Sequence, residues 1–244
     1  MRPPVFLADR VQLERDSITL SGAEGHHATT VRRLAPGERA DVTDGQGMVA
    51  ECLVTGARPG ILELAVRTRR AEPGPDPRVV VVQAILKGDR GELAVEIMTE
   101  VGVDVVVPWP AERCVPRWRA DGAEKALARW RVTGREAAKQ SRRAWFPEIT
   151  GAAGTGGIAQ RVRAASLALL LDPAAPRPLA GVSMPGGGDI VLVVGPEGGV
   201  SPGEQRALAA AGAVSARLGP SVLRASSAGA VAAALVLSSC GRWA

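Results

Sequence analysis

The residues whose types and spacing point most clearly to chemistry form a glycine-rich turn after an apolar run. Residues 190–204 read Ile-Val-Leu-Val-Val-Gly-Pro-Glu-Gly-Gly-Val-Ser-Pro-Gly-Glu. The glycines allow positive φ and a close approach of ligand to backbone, and ligands bind at the carboxyl ends of strands in open parallel sheets. Neither a dinucleotide fingerprint nor a P-loop is present. Spacing alone leaves two interpretations open, a ligand-binding loop and an ordinary turn between strand and helix.

A second segment repeats this arrangement closer to the C-terminus. Residues 217–228 read Arg-Leu-Gly-Pro-Ser-Val-Leu-Arg-Ala-Ser-Ser-Ala, and they follow a predicted strand at 214–218. Arg224 stands where a helix is expected to begin, and the helix dipole does not favour a cation there. This placement indicates a phosphate or carboxylate partner, although a surface salt bridge would also explain it. The small residues 230–234 suit either a subunit interface or a core helix.

The third segment is a basic stretch, residues 113–143, with ten basic residues against three acidic ones. Its excess of +7 exceeds the net charge of +5 for the whole 244-residue chain. Arg131, Arg135, Lys139 and Arg143 recur every four residues, which predicts a cationic stripe on one helix face. Tryptophans at 109, 118, 130 and 145 are interleaved with the stripe, and they could stack on bases. The alternative is a solvated helix with its tryptophans in the core; we favour anion binding.

Cysteine and histidine usage excludes several classes of protein. Cys52, Cys114 and Cys240 are odd in number and widely spaced, which argues against a disulfide framework and for a reducing compartment. The only histidines, His26 and His27, are adjacent, so we expect no metal site. No Ser-His-Asp set can be assembled. No apolar run is long enough for a membrane span, so we expect a cytoplasmic protein that has no membrane partner.

The elements that must position these segments divide at a Pro- and Gly-rich seam, residues 71–77. Before it, short alternating stretches between Gly turns predict a small, mostly β module, for which a barrel is one form. After it, apolar runs alternate with helical patterns, which predicts an α/β domain with a largely parallel sheet. The predicted strands are 79–84, 104–107, 167–171, 190–194 and 214–218. We expect a capping box at Asp89 and Glu92, a helix over about 121–143, and irregular connections at 154–157 and 173–188.

Six motifs in order resemble one family nearly end to end, the bacterial 16S rRNA uridine N3-methyltransferases of the RsmE group in the SPOUT superfamily. Residues 25–37 with 44–47 resemble the family's PUA-like RNA-binding domain. Residues 87–90, 99–102 and 135–142 resemble its central motifs, whereas 194–201 and 218–228 resemble its two cofactor loops. The last motif departs from the usual Arg-Thr-Glu-Thr-Ala, because Ala225-Ser226-Ser227 follows Arg224. A basic residue of the central helix is replaced by Ile97.

The resemblance implies a PUA-like β-barrel domain over residues 1–72 and a trefoil-knotted SPOUT domain over 73–244. It implies a homodimer that binds S-adenosylmethionine and methylates N3 of a decoding-region uridine in 16S rRNA of the small ribosomal subunit. Arg224 and Glu197 are the candidate catalytic residues. The candidate cofactor-binding residues are Leu171, Gly195, Pro196, Glu197, Gly198, Gly199, Leu218, Gly219, Val222 and Leu223. The candidate RNA-binding residues are His26, Arg33, Arg131, Arg135, Lys139, Arg142 and Arg143.

Two other functions stay open at this point. The absence of the usual carboxylate from the last motif is compatible with a non-catalytic RNA-binding or ribosome-assembly factor on the same fold. A related enzyme that methylates a ribose 2′-hydroxyl or tRNA is the other alternative.

Overall fold

The computed structural model describes residues 3–115, 118 and 120–243, apart from the side chains of residues 120 and 121. The chain forms two compact units. The N-terminal unit comprises Met1–Gly74 and Ala138–Phe146, and the C-terminal unit comprises Pro75–Ala137 and Pro147–Ala244. The division after Gly74 falls within the Pro- and Gly-rich seam. The short second segment of the N-terminal unit is a feature that the sequence did not predict.

The N-terminal unit is built on a five-stranded sheet with the order β1-β3-β4-β5-β2. The β1–β3 pair is parallel and the other pairs are antiparallel. Two short helices and one π-helical turn, His27–Val31, complete it. The bounds are β1 Val5–Leu7, α1 Arg10–Leu13, β2 Ser17–Leu20, α2 Gly22–His26, β3 Arg39–Thr43, β4 Met48–Arg58 and β5 Ile61–Ala71.

One face of this sheet forms the core of the N-terminal unit. Alternate residues point inwards, as the period of a half-buried strand requires: Ala40 and Val42 on β3, and Leu62 and Leu64 on β5, are all buried. The predicted small β module is therefore confirmed. Register shifts between Glu51 and Cys52 and between Val54 and Gly56 interrupt the long β4–β5 ladder, and such bulges bend and twist a strand pair.

The C-terminal unit alternates strands and helices along the chain. Its bounds are β6 Arg78–Ala84, α3 Arg90–Val101, β7 Val105–Trp109, α4 Ala120–Gln140, β8 Glu148–Ile149, α5 Thr155–Ala164, β9 Leu167–Leu171, β10 Asp189–Val194, α6 Pro202–Ala210, β11 Val214–Ala216 and α7 Ala225–Ser239. A 3-10 turn, Leu179–Gly181, lies in the connection between β9 and β10. The last three residues of α4 belong to the N-terminal unit.

Six parallel strands in the order β11-β9-β10-β6-β7-β8 form the sheet of the C-terminal unit. Both faces of the sheet are covered, so its central strands are mainly apolar. Val79 and Val81 of β6 lie in one core cluster together with residues of α3 and α7. Val80 and Val82 lie in the other cluster, which includes residues of α5 and α6. The predicted α/β domain with a parallel sheet is confirmed.

Three local predictions were wrong. Residues 154–157 are not an irregular connection, because Gly154 is the N-cap of α5 and the helix begins at Thr155. The burial of Ile158 and Val162 outweighs the low helix propensity of the glycines in this helix. The capping box at the start of α3 does not form: Asp89 has helical dihedrals and makes no cap hydrogen bond. Glu92 instead accepts a hydrogen bond of 2.8 Å from Arg129. The last strand is also shorter than expected and ends at Ala216.

Helix α4 ends three residues earlier than predicted, in a turn with a left-handed arginine. The Arg143 N–H donates to the Ala138 carbonyl at 3.0 Å, which is the closing bond of a Schellman motif. Arg142 therefore takes φ 61°, a conformation that usually belongs to glycine. Its guanidinium donates to Asp41 at 3.4 Å and to the Pro3 carbonyl. No helix of the described residues is both long and apolar enough to cross a membrane.

Candidate functional site

The site is formed where three neighbouring strands end. Strands β11, β9 and β10 are adjacent and parallel, so the loops that follow them meet at one edge of the sheet. These loops begin at Asp172, Gly195 and Arg217. Together they enclose a cavity of about 540 Å³, a volume within the range of small-molecule sites.

Nearly all the residues expected to bind a cofactor line this cavity. Gly198 belongs to the same turn as the others but does not itself line the cavity. The expected cofactor-binding residues that line it are Leu171, Gly195, Pro196, Glu197, Gly199, Leu218, Gly219, Val222 and Leu223, and the candidate catalytic residue Arg224 lines it as well. Residues 171, 195–199 and 218–224 come from loops far apart in the sequence, so their convergence is a property of the strand order.

The turn after β10 is fixed by its backbone and by the helix that follows. The Gly199 N–H donates to the Pro196 carbonyl at 2.9 Å, and Gly199 has φ 74°. A side chain at Gly195 would clash, because its Cβ would lie 2.6 Å from a methyl group of Val200. Ser201 then caps α6 through a complete capping box with Glu204, as the sequence predicted. The glycines are therefore required by the shape of this cavity wall.

The loop after β11 is tied to the loop after β9. The Arg217 N–H donates to the Arg177 carbonyl at 2.9 Å, and the Leu179 N–H donates to the Arg217 carbonyl at 2.8 Å. The Arg217 guanidinium also donates to the carbonyls of Ala175 and Pro176. These bonds hold two walls of the cavity at a fixed separation.

Arg224 is the N-cap residue of α7, and it lies exposed at the cavity. Within the described part of the chain no carboxylate pairs with it, so the surface salt bridge considered from the sequence is absent there. A guanidinium has five N–H donors, and those of Arg224 are free to bind an anion. Ser226, which stands where the family motif has glutamate, is buried in the first turn of α7.

Glu197, the candidate base, is paired with a cation. A carboxylate oxygen of Glu197 lies 3.6 Å from Nη1 of Arg90, and both side chains are 44% exposed. Arg90 is the first residue of α3 and belongs to the motif Lys87-Gly-Asp-Arg90. The pair therefore connects the start of α3 to the turn after β10 that lines the cavity.

Sequence reasoning missed several polar residues of the cavity. Arg113, Asp172, Gln205 and Ser221 all line it. Asp172 follows Leu171 directly, so its position at a strand end was a usable signal. The sequence presents Arg113 only as the first member of the basic stretch. Nothing in its local sequence indicates that its guanidinium donates to the Gly198 carbonyl at 3.3 Å.

Two candidate RNA-binding residues of the N-terminal unit, His26 and Arg33, flank the π-helical turn in sequence. His26 is exposed, and its Nδ1 lies 3.3 Å from the Thr30 hydroxyl. Arg33 is also exposed and has φ 54°, a costly conformation for a non-glycine residue. His27 faces the interior and packs edge-to-face on Phe6 at 6.0 Å. His26 and Arg33 thus lie on the surface, whereas His27 supports the core.

The predicted cationic stripe on α4 is broken at its C-terminal end. Arg131 and Arg135 are exposed, but the side chain of Lys139 is only 6% exposed and its ammonium lies 2.8 Å from Glu24. Arg143 lies beyond the end of the helix, and the Arg142 guanidinium is occupied by Asp41. Lys139 is therefore held in a buried ion pair and is not part of an exposed stripe. Two other basic residues of the stretch, Arg117 and Arg119, lie outside the described residues.

The expectation that tryptophans offer stacking surfaces was wrong for two of them. Trp109 is fully buried and Trp130 is 3% exposed. Trp118 packs edge-to-face on Trp130 with ring centroids 5.3 Å apart, and Trp145 donates through Nε1 to the Glu72 carbonyl at 3.0 Å. Core packing explains Trp109, Trp118 and Trp130. In the part of the chain that the structure describes, no cluster of His, Cys, Asp and Glu could hold a metal ion.

Comparison with known proteins gives consistent matches over most of the chain. Residues 73–237 match a family model described as an RNA methyltransferase domain, and residues 20–66 match an RNA methyltransferase PUA domain. A Mycobacterium bovis ribosomal RNA small subunit methyltransferase E is 45% identical over 228 residues, which cover 92% of this chain and 87% of the relative. The ribosomal RNA small subunit methyltransferase E of Bacillus subtilis is 25% identical, and the match covers 86% of each chain.

A solved structure shows the same fold. The ribosomal RNA small subunit methyltransferase E of Neisseria gonorrhoeae, bound to S-adenosyl methionine, superposes with a TM-score of 0.85 at 25% identity. The match covers 97% of this chain and 98% of the other.

Proposed function

The chain belongs to the RNA methyltransferase family of ribosomal RNA small subunit methyltransferase E, and on that premise we propose that it methylates N3 of a decoding-region uridine in 16S rRNA. The observation that carries the proposal is the cavity at the ends of β9, β10 and β11. Two of its walls are the loops that resemble the family's cofactor loops.

The cavity fits S-adenosylmethionine in size and in lining. Leu171, Val222 and Leu223 provide apolar walls. In the turn 195–199, glycines leave backbone atoms accessible that a larger residue would cover with its side chain. Asp172 can accept hydrogen bonds from hydroxyl or ammonium groups. When bound, the cofactor supplies an electrophilic methyl group. In the family these loops belong to a trefoil knot, and we extend that topology to this chain as part of the proposal.

Arg224 and Glu197 are the proposed catalytic residues. Transfer to N3 requires loss of the N3 proton, which leaves negative charge on the pyrimidine. Arg224, which is exposed at the cavity, would stabilise that charge or hold a neighbouring phosphate. Glu197 would accept the proton, with Arg90 orienting its carboxylate at 3.6 Å. A uridine must also leave its stack to reach such a cavity.

RNA docking is proposed for cations of each unit. In the N-terminal unit these are the exposed His26 and Arg33, with the half-buried Arg143 in the short second segment. In the C-terminal unit they are the exposed Arg131 and Arg135. Arginines at a surface suit phosphate contacts because their planar fork of donors matches phosphate oxygens.

We also propose that the chain works as a homodimer. Ala232 and Ala233 of α7 are fully buried within one chain, so the small-residue segment packs in the core. Two apolar side chains of the C-terminal unit remain accessible: Leu93 on α3 is 48% exposed and Val231 on α7 is 40% exposed. A second copy would cover such residues. Light scattering on the purified protein measures the mass directly.

The proposal is tested by mapping modified nucleotides in 16S rRNA. A strain that lacks the gene is complemented with the wild-type gene or with an empty vector, and 16S rRNA fragments are analysed by mass spectrometry. We expect one methyluridine in the decoding region that disappears on deletion and returns on complementation. Methylation at a ribose hydroxyl or in tRNA would contradict the proposal.

Calorimetric titration separates an enzyme from a non-catalytic assembly factor. Binding of S-adenosylmethionine with a stoichiometry of one per chain is expected. An rRNA-binding protein that takes up no S-adenosylmethionine and restores no methylation would instead be an assembly factor.

A further inference from the structure

The loop after β7 lies against the cavity turn through Arg113. Nη1 of Arg113 donates to the Gly198 carbonyl at 3.3 Å, although the two residues are 85 positions apart. The backbones are also closely packed, because a Cβ at Gly198 would lie 3.3 Å from both the Cβ and the carbonyl oxygen of Arg113. Arg113 therefore contacts the turn at Gly198, and it also lines the cavity.

This loop is itself anchored, so Arg113 is presented from a fixed support. The buried carboxylate of Glu204 accepts hydrogen bonds from the Glu112 N–H at 2.8 Å and from the Ser201 N–H at 3.0 Å. It also accepts one from the Thr155 hydroxyl at 3.3 Å. Glu204 therefore joins the start of α6, the start of α5 and the residue before Arg113.

The turn at Gly198 and Gly199 depends on hydrogen bonds such as the one from Arg113. Gly198 and Gly199 are exposed, and Gly199 has φ 74°. Glycine has the largest conformational freedom to lose when a segment is ordered, so an exposed Gly-Gly pair depends on the bonds made to it. Among the described residues, the hydrogen bonds on this pair are Gly199 N–H to Pro196 at 2.9 Å and Arg113 to Gly198.

We propose that Arg113 is a positioning residue that orders the turn 195–199 and thereby makes the cavity competent to bind the methyl donor. This inference rests on the proposed function for the identity of the ligand. It assigns to Arg113 an action on the turn and none on the reacting atoms. A ligand that touches the turn then gains affinity from Arg113 whether or not it carries a carboxylate.

The test compares Arg113→Ala and Arg113→Lys with the wild-type protein, using two ligands. S-adenosylhomocysteine carries an amino-acid carboxylate, whereas 5′-methylthioadenosine lacks it. We expect Arg113→Ala to weaken binding of both by a similar factor, on the order of tenfold, as for loss of one charge-assisted hydrogen bond. Arg113→Lys should recover part of the loss, because an ammonium can still donate to the Gly198 carbonyl.

Hydrogen exchange of the apo-protein supplies a readout independent of ligand. Peptides that cover residues 195–200 should exchange faster in Arg113→Ala, while those of β10 should be unchanged. The matched control is Arg163→Ala, an exposed arginine on α5 outside the cavity; it should alter neither measurement. Thermal unfolding midpoints of both variants should stay close to that of the wild type.

Two outcomes would overturn the proposal. Unchanged exchange and unchanged affinity would mean that the turn is ordered without Arg113. A loss of affinity confined to S-adenosylhomocysteine, with unchanged exchange, would mean that the guanidinium binds the carboxylate of the ligand directly. If the wild-type protein bound neither compound, the proposed function would fail, yet the exchange measurement would still decide whether Arg113 orders the turn.

Discussion

The ammonium of Lys139 lies 2.8 Å from a carboxylate oxygen of Glu24, and the two side chains are 6% and 22% exposed. A residue that sequence periodicity placed on an anion-binding cationic stripe thus links two segments of the N-terminal unit. Removal of one member of a buried ion pair is costly because the other charge is left desolvated.

Replacement of Lys139 by alanine should therefore reduce stability. We expect a loss of about 2–3 kcal/mol in the free energy of unfolding, less than for a fully buried pair because Glu24 can still be hydrated. Urea denaturation measures it. The control, Arg135→Ala on the exposed part of α4, should change stability by less than about 0.5 kcal/mol. Equal effects of the two substitutions would show that the Lys139 pair behaves as a surface pair.

Asp41 should make stability depend on pH in the acid range. Burial raises the pKa of Asp41, and this outweighs the opposing effect of the Arg142 guanidinium on that pKa. The folded state then holds the Asp41 proton to a higher pH than the unfolded state, so the contribution of Asp41 to stability falls as pH rises above about 4 through the raised pKa.

Urea denaturation across this range, between about pH 4 and pH 7, measures the dependence. Relative to Asp41→Asn, the wild type should lose stability as the pH rises. The opposite slope would mean that the ion pair with Arg142 dominates.

The three cysteines should differ in reactivity towards iodoacetamide. Burial raises the pKa of Cys52 to about 11, with the nearby Asp41 charge adding to it, and burial also raises the pKa of Cys114. The thiolate is the reactive form, and both thiols are buried, whereas Cys240 is half-buried. At neutral pH we expect Cys240 to be alkylated first, as followed by mass spectrometry. In urea all three should react; labelling of native Cys52 as fast as Cys240 would contradict this.

Gly198→Ala should weaken binding of S-adenosylmethionine. The added Cβ would lie 3.3 Å from Arg113 Cβ and from its carbonyl oxygen, tighter than an ordinary contact, so the turn would have to shift. We expect a dissociation constant raised by roughly 5- to 30-fold, equivalent to about 1–2 kcal/mol. Gly203→Ala is the matched control, since its Cβ would meet only the Ser201 hydroxyl at 4.0 Å. Calorimetry that gave equal affinities for the two variants would refute the argument.

Arg224→Ala should slow methylation with little effect on cofactor binding. If the guanidinium stabilises charge that develops on the uracil ring, its loss should lower kcat on the order of a hundredfold. The affinity for S-adenosylmethionine should change by less than about threefold, roughly 0.6 kcal/mol. Single-turnover assays on 16S rRNA or on small subunits measure the rate, with Arg163→Ala as control. A wild-type rate in Arg224→Ala would remove its assigned role.

Sequence patterns predicted correctly several parts of the structure that depend on residues close in sequence. The capping box of Ser201 and Glu204 and the apolar runs of β6, β9 and β10 are set by residues close in sequence. The same patterns located the two loops of the cavity. Strand order then brings those loops together, and a parallel sheet with covered faces has no local signal for that order.

Long-range contacts explain what sequence patterns missed. Lys139 reaches Glu24 across 115 positions, and Arg113 reaches Gly198 across 85. The sequence placed both residues in a basic stretch that was expected to bind an anion. Residues 154–157 were misjudged for a related reason, because burial of Ile158 and Val162 on the sheet stabilises a helix that glycines disfavour.

The short segment Ala138–Phe146 has a consequence for how this gene can be rearranged. Although it follows β6, α3 and β7 along the chain, it belongs to the N-terminal unit. There it supplies Lys139 to Glu24, Arg142 to Asp41 and the Trp145 indole to the Glu72 carbonyl. A single recombination crossover at the Pro- and Gly-rich seam would separate these partners. Exchange of the PUA-like module between relatives therefore requires three coordinated breakpoints, after residue 74, before residue 138 and after residue 146.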